Sequence, residues 1–298
     1  MVEKIVVAID VDGGGATDSG LRWAIDRARD VRATLEVTTI MEPVWAPHGQ
    51  TIVESATPYA QALERAEESV GTLVPGTTHW GIVRRGNPAR VLIALSRHSD
   101  LVVLGSQSPG MFVGIIHGTV PLQVAGRAEC PVAVIPAEWT PRGTGVVVGW
   151  TDDGTADAAV DFAAAEAARR ACPLTLVHAW NVPLSVSADP ASVILADGIL
   201  VGQRELLSAR AAAVRLKYPD LEVIELMPAG PASVAIVEAS RDAELVVVGS
   251  HGRGALGGLI LGSVSHDVLI NMPAPVIVVP RPGDPLTVLA EIVDEDAQ

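Results

Sequence analysis

The sequence predicts an α/β protein of two tandem domains, each a five-stranded parallel open sheet flanked by helices. The chain has 298 residues, enough for two domains of ordinary size. It is also written twice. The stretches DLVVLGSQSPGMFVGIIHGT (100–119) and ELVVVGSHGRGALGGLILGS (244–263) share one outline, and positions 105 and 249, 118 and 262, and 136 and 280 each lie 144 residues apart. Finally, short Val/Ile-rich runs alternate with helical patterns, the signature of crossover units in a parallel sheet.

In the first half the strand runs are KIVVAID (4–10), TLEVTTI (34–40), THWGIVR (78–84), DLVVLG (100–105) and PVAVIP (131–136). The second half gives GVVVGW (145–150), LTLVHAW (174–180), LEVIEL (221–226), ELVVVG (244–249) and PVIVVP (275–280). The Val/Ile-rich runs lack polar alternation, as expected of strands covered by helices on both faces. Helical patterns lie between them, including DSGLRWAIDRARD (18–30), DAAVDFAAAEAARRA (157–171) and SVSHDVLINM (263–272). The longest irregular stretches, 42–60 and 181–198, each follow the second strand of a half, where loops often cover ligands. EWTPRGT (138–144) is the natural linker, which sets domains at 1–137 and 145–281 and an acidic tail at 282–298.

Composition narrows the function classes. A hydrophobic content of 49% with mean hydropathy +0.35 fits well-filled cores, and 19% charged residues argue against disorder. No apolar stretch approaches a membrane span, and MVEKIVVAID reads as a strand rather than a signal peptide. Cys130 and Cys172 each precede a proline and read as small buried residues, so a reducing, cytoplasmic setting is expected. The net charge of −14 opposes a general grip on nucleic-acid phosphates. Any anionic ligand must be held locally.

The glycine run begins where a strand ends, the place at which open parallel sheets bind ligands. Gly249 closes the fourth strand of the second half, Gly252 follows after two residues, and Gly262-Ser263 follow after nine more. Glycine permits close backbone approach, so consecutive N–H groups can converge on phosphate, and a helix N-terminus adds partial positive charge. The simpler reading is a tight turn with Thr119 or Ser263 as a helix cap. Repetition at constant spacing favours the anion cradle.

The pattern Gly, two residues, Gly, nine residues, Gly-Ser/Thr, after a D/E-L-V-V-V-G-S strand and before a helix and P-V-x-V-V-P, resembles the universal stress proteins. The resemblance covers about residues 1–281 in two copies. It implies a Rossmann-like, adenine-nucleotide-binding fold and a stress-linked regulatory role; the sequence itself offers no Ser-His-Asp or Cys-His spacing and no positioned base, so no catalytic residues are expected. It implies ATP, with Mg2+, as cofactor. Carried onto this sequence, the second site comprises Gly249, Ser250, His251, Gly252, Arg253, Gly262, Ser263 and Val264, with Gly149, Thr151 and Ala179 at neighbouring strand ends. The first comprises Gly105, Ser106, Gln107, Ser108, Gly118, Thr119 and Val120, with Ala8, Asp10 and Ile40. Neither copy is complete. Ser108 and Pro109 stand where the second half has Gly252 and Arg253, while Asp10 keeps the family's acid at a position where the second half has Thr151, followed by Asp152 and Asp153. The second site is therefore expected to hold the triphosphate more tightly. The resemblance also implies pairing through PVAVIP and PVIVVP, as a pseudo-dimer within one chain or as a homodimer.

A catalytic rival rests on GGGATDS (13–19), similar to the S-G-G-x-D-S loop of ATP pyrophosphatases, although its simpler reading is a turn before a helix. A nucleotide-free interaction module is the third class. The seven histidines show no H-x-x-x-H spacing or clustered cysteines, so no metal centre is expected.

Overall fold

The computed structural model describes residues 2–11, 15–42, 44–45, 51–52, 55–106, 120–141, 143–180, 190–250 and 261–281, with backbone alone at 15–18, 44–45, 51–52 and 190–197. The chain divides into two compact units, residues 1–140 and residues 141–256 with 262–284.

The first unit runs β1 (Glu3–Ala8), α1 (Gly15–Asp30), β2 (Ala33–Met41), β3 (Val44–Trp45), β4 (Thr51–Ile52), α2 (Thr57–Leu73), β5 (Thr78–Arg85), α3 (Pro88–Ser96), β6 (Leu101–Gly105), α4 (Val120–Ala125) and β7 (Val132–Ile135). Its main sheet has the order β5-β2-β1-β6-β7, parallel at every pairing. The second runs β8 (Val146–Gly149), α5 (Asp157–Arg170), β9 (Leu174–Val177), α6 (Pro190–Lys217), β10 (Val223–Leu226), α7 (Ala232–Ala239), β11 (Leu245–Gly249), α8 (Ser263–Ile270) and β12 (Val276–Val279). Its order, β10-β9-β8-β11-β12, is the same arrangement.

The Val/Ile runs form strands because both faces are covered. Ile5, Val6 and Val7 of β1, and Val146 and Val148 of β8, are inaccessible to solvent. α5 buries Ala159, Val160, Ala163, Ala164 and Ala167, a stripe at helical spacing whose small side chains let the helix lie close to the sheet. α3 starts where Asn87 accepts from the Arg90 N–H at 3.1 Å, with Pro88 at the first helical position. At the boundary between units, Gly143 has φ +93, and a Cβ there would meet the Ala243 carbonyl oxygen at 2.5 Å. Only glycine fits this bend.

Charged helix and strand residues complete the sheets. Glu36 of β2 is 3% exposed and is paired with Arg84 at 2.6 Å and Lys4 at 3.6 Å. At the edge strands, Glu67 of α2 accepts from the Gly81 N–H of β5 at 2.7 Å, and Arg215 of α6 donates to the Val223 carbonyl of β10 at 2.6 Å. Each helix thus occupies a backbone group that an added strand would need.

Several local expectations are corrected. Stretch 42–60 contains the antiparallel pair β3–β4 and the start of α2, and 190–198 belongs to α6. Pro190 is tolerated in a first helical turn, and the length of the 28-residue helix outweighs Gly198, which costs about 1 kcal/mol. α1 begins at Gly15, so residues 15–19 of GGGATDS are helical rather than a turn. β9 stops at Val177, where the His178 ring turns inward to hydrogen-bond side-chain and backbone partners. Cys172 is partly exposed rather than buried.

Candidate functional site

In both sheets the winding reverses beside the first strand, between β1 and β6 and between β8 and β11. The crevice outside the carboxyl ends of those strands is where such a fold binds ligands. Residues following the four strands therefore frame the two candidate sites.

In the second unit, backbone bonds fasten a helix start to a strand end. Ser250 N–H donates to the Val279 carbonyl at 2.9 Å, and Gly262 N–H donates to the Ser250 carbonyl at 2.8 Å. The Ser265 hydroxyl donates to the Gly249 carbonyl. The N-cap of α8 is Gly262, so Ser263 is the first helical residue and not the cap that the sequence suggested. A glycine cap offers no side-chain acceptor, which leaves the first-turn amides available to an outside oxygen. Ser263 is exposed and Gly262 and Val264 are partly so, hence a ligand can reach them. An anion fits this helix end.

Gly149 is explained in part by packing. A Cβ there would lie 2.5 Å from Ile236 Cδ1 of α7. Thr151 is partly exposed, while Asp153 Oδ1 accepts from the Thr155 amide at 2.9 Å and its hydroxyl at 2.6 Å, an ordinary turn. Ala179 is partly exposed beside the buried ring of His178. Sequence reasoning missed this histidine. Its signal was a single ionisable residue inside the apolar run LTLVHAW.

The first unit repeats the backbone geometry with other side chains. Ile9 N–H donates to the Thr38 carbonyl and Ser106 N–H to the Ile135 carbonyl, at 2.9 and 2.8 Å. Asp10 is exposed, and Ala8, Ile40, Gly105 and Val120 are partly exposed. The Ser106 hydroxyl is buried and has no hydrogen-bond partner among the described residues, so this strand end retains an unused polar group. α4 is only six residues long. Gln107, Ser108, Gly118 and Thr119, like His251, Gly252 and Arg253, lie outside the described residues.

Elsewhere, burial followed by the nearby Asp100 carboxylate pushes the Cys130 thiol up to about 12. Burial also raises Cys172. Among the described residues, no group of three or more His, Cys, Asp or Glu side chains is placed to hold a metal ion, and no helix is long and apolar enough to cross a membrane.

The sequence profile of the Universal stress protein family matches residues 1–136 and 145–280. Universal stress proteins Rv1996 of Mycobacterium tuberculosis and Mb2019 of Mycobacterium bovis are each 31% identical to this chain over 304 residues, covering 94% of it and 96% of their own length. A crystal structure of a universal stress protein from Archaeoglobus fulgidus has a TM-score of 0.66 at 19% identity, covering 93% of this chain and 98% of that one. Another universal stress protein of Archaeoglobus fulgidus, solved in complex with dAMP, covers 46% of this chain and 97% of its own at 26% identity and a TM-score of 0.34. Two matched segments joined at residues 137–144, together with relatives aligned along nearly their whole length, establish the kinship: the chain belongs to the universal stress protein family.

Proposed function

We propose that this protein binds ATP, with Mg2+, at the carboxyl edges of its sheets and acts in stress or growth adaptation through nucleotide-dependent conformation or partner binding. The observation carrying the reading is the end of β11, where Gly262 N–H and the Ser265 hydroxyl tie a helix start with no side-chain cap to Ser250 and Gly249. Amides of Ser263 and Val264 would hold phosphate oxygens there, and family motif residues Gly252 and Arg253 follow the same strand. Ala179 and Ile40 would meet the adenine through their backbones. Domain limits of 1–137 and 145–281 follow from the same reading.

Binding without turnover is the expected behaviour. Holding a ground state does not accelerate its reaction, and the reading assigns no general base or nucleophile. The adenylating alternative loses support because Ser19, the last serine of its motif, is 1% exposed within α1.

Calorimetry on the full chain tests the proposal. ATP should give saturable heat with and without Mg2+, and Gly262→Glu should weaken the tighter phase at least about tenfold, roughly 1.4 kcal/mol. Absence of heat with every adenine nucleotide contradicts binding, and phosphate release at about several turnovers per second contradicts the absence of catalysis.

A further inference from the structure

Gly126, the residue after α4, continues the helical pattern, since its N–H donates to the Leu122 carbonyl at 3.1 Å. Its φ is not in the left-handed range, so the backbone conformation there does not call for glycine. Space does. A Cβ at position 126 would lie 3.2 Å from the Leu261 backbone nitrogen and 3.4 Å from the Leu261 Cβ, closer than side chains ordinarily approach. Leu261 belongs with the first unit and is 8% exposed. The residue that follows it is Gly262, the N-cap of α8, whose N–H is fastened to the Ser250 carbonyl at 2.8 Å. One peptide bond thus joins a residue seated on the end of α4 to the helix start that presents Ser263 and Val264. In the repeat, position 270 corresponds to 126 and holds Ile270, so α8 does not offer the bare backbone that α4 ends on.

We propose that Gly126 is a positioning residue for the second nucleotide site: its missing side chain lets Leu261 seat closely, and that seat sets where Gly262 and the first-turn amides of α8 stand. The consequence for the nucleotide rests on the reading above, whereas the seat itself does not. Close-packed interiors pass a displacement on instead of absorbing it. The atom nearest the added Cβ is a backbone nitrogen, which cannot swing aside as the end of a flexible side chain can. Moving it pulls the Gly262 N–H away from Ser250 and re-aims the N–H groups of Ser263 and Val264. Hydrogen bonds weaken as donors turn off line, so a small displacement lowers affinity for phosphate oxygens. Gly126 has no side chain to offer a ligand and acts through Leu261.

Amide hydrogen exchange in the nucleotide-free full chain tests the seat. In Gly126→Val the Gly262 N–H should exchange about threefold or more faster than in the parent, while the Trp150 N–H, bonded to Val177 in the same unit, keeps the parent rate. Gly126→Ala asks Leu261 to give by only a few tenths of an ångström and should speed Gly262 less, about twofold. Combining Gly126→Val with Leu261→Ala, which trims the neighbour, should return the Gly262 rate toward the parent. Calorimetry with ATP reads the consequence. The tighter phase should weaken about tenfold in Gly126→Val and recover at least about threefold in the double variant, with the weaker phase unmoved. Both readings can be taken from Gly126→Ala alone if the valine variant does not fold. An unchanged Gly262 rate, or one that rises only together with that of Trp150, overturns the seat. A faster Gly262 rate with the tighter phase intact overturns its link to the site. If the parent binds no adenine nucleotide, the nucleotide reading and the link fail together, while exchange still decides the seat.

Discussion

The two carboxyl edges share a backbone and differ in what they place on it. Ile9 N–H bonds to Thr38 as Trp150 N–H bonds to Val177, and Ser106 bonds to Ile135 as Ser250 bonds to Val279. On that common frame the first unit sets Ala8, Ile9, Asp10 and Thr39, and the second sets Gly149, Trp150, Thr151 and His178. Ladder hydrogen bonds and the reversal in strand order fix where a ligand can lie. Side chains beyond the last ladder bond contribute little to the sheet, so they are free to diverge. Two candidate sites of one architecture can therefore differ in affinity.

The largest expected contrast comes from adding bulk at the first strand's end. Gly149→Val should destabilise the protein by about 1–3 kcal/mol, because Ile236 occupies the space, whereas Ala8→Val should cost less. Urea melts of both variants, and of Gly149→Val combined with Ile236→Ala, check this. Failure of the smaller residue to recover stability would remove the packing explanation.

The cysteines divide the units again. In the unfolded chain the Cys130 thiol ionises near 9.0, but in the folded protein it does so near 12. The unfolded state therefore loses its proton first, and the stability present below pH 9.0 is lost progressively as pH rises toward 12. Partly exposed Cys172 should react first with a thiol reagent at about pH 8, and buried Cys130 should follow only on denaturation. Equal labelling rates would contradict the contrast.

The smallest difference should lie at the edge strands. Glu67→Ala and Arg215→Ala each remove one partner of a backbone group and should each cost about 1 kcal/mol. Arg215→Ala should also soften the acid response. The Glu225 carboxyl is held below its ordinary range by the Ser208 hydroxyl and then by Arg215, so its stabilising contribution is present above the usual carboxylate range and is lost as pH falls. Urea melts near pH 4 and pH 7 should show a smaller drop in this variant than in the parent.

Much of this architecture was legible because its signals are local. Val/Ile runs without polar alternation gave ten strands at nearly their observed places, and the glycine spacing located two strand ends. What escaped depends on partners far along the chain. His178 meets Gln203 25 residues later, and Glu36 meets Arg84 48 residues later. No periodicity announces such pairs. The start of α6 was hidden for another reason: Pro190 and Gly198 are loop signals that a long helix overrides.

The central claim is that the second site binds ATP more tightly than the first. Its loop retains Gly252 and Arg253, where the first has Ser108 and Pro109. A serine where the family pattern has glycine and the missing arginine together would be worth about 1–3 kcal/mol, roughly ten- to a hundredfold in affinity. Titrating ATP into Gly118→Glu and Gly262→Glu side by side is the most direct measurement. The account predicts that Gly262→Glu removes the tighter phase while Gly118→Glu leaves it in place; loss of the tighter phase in Gly118→Glu alone would contradict it.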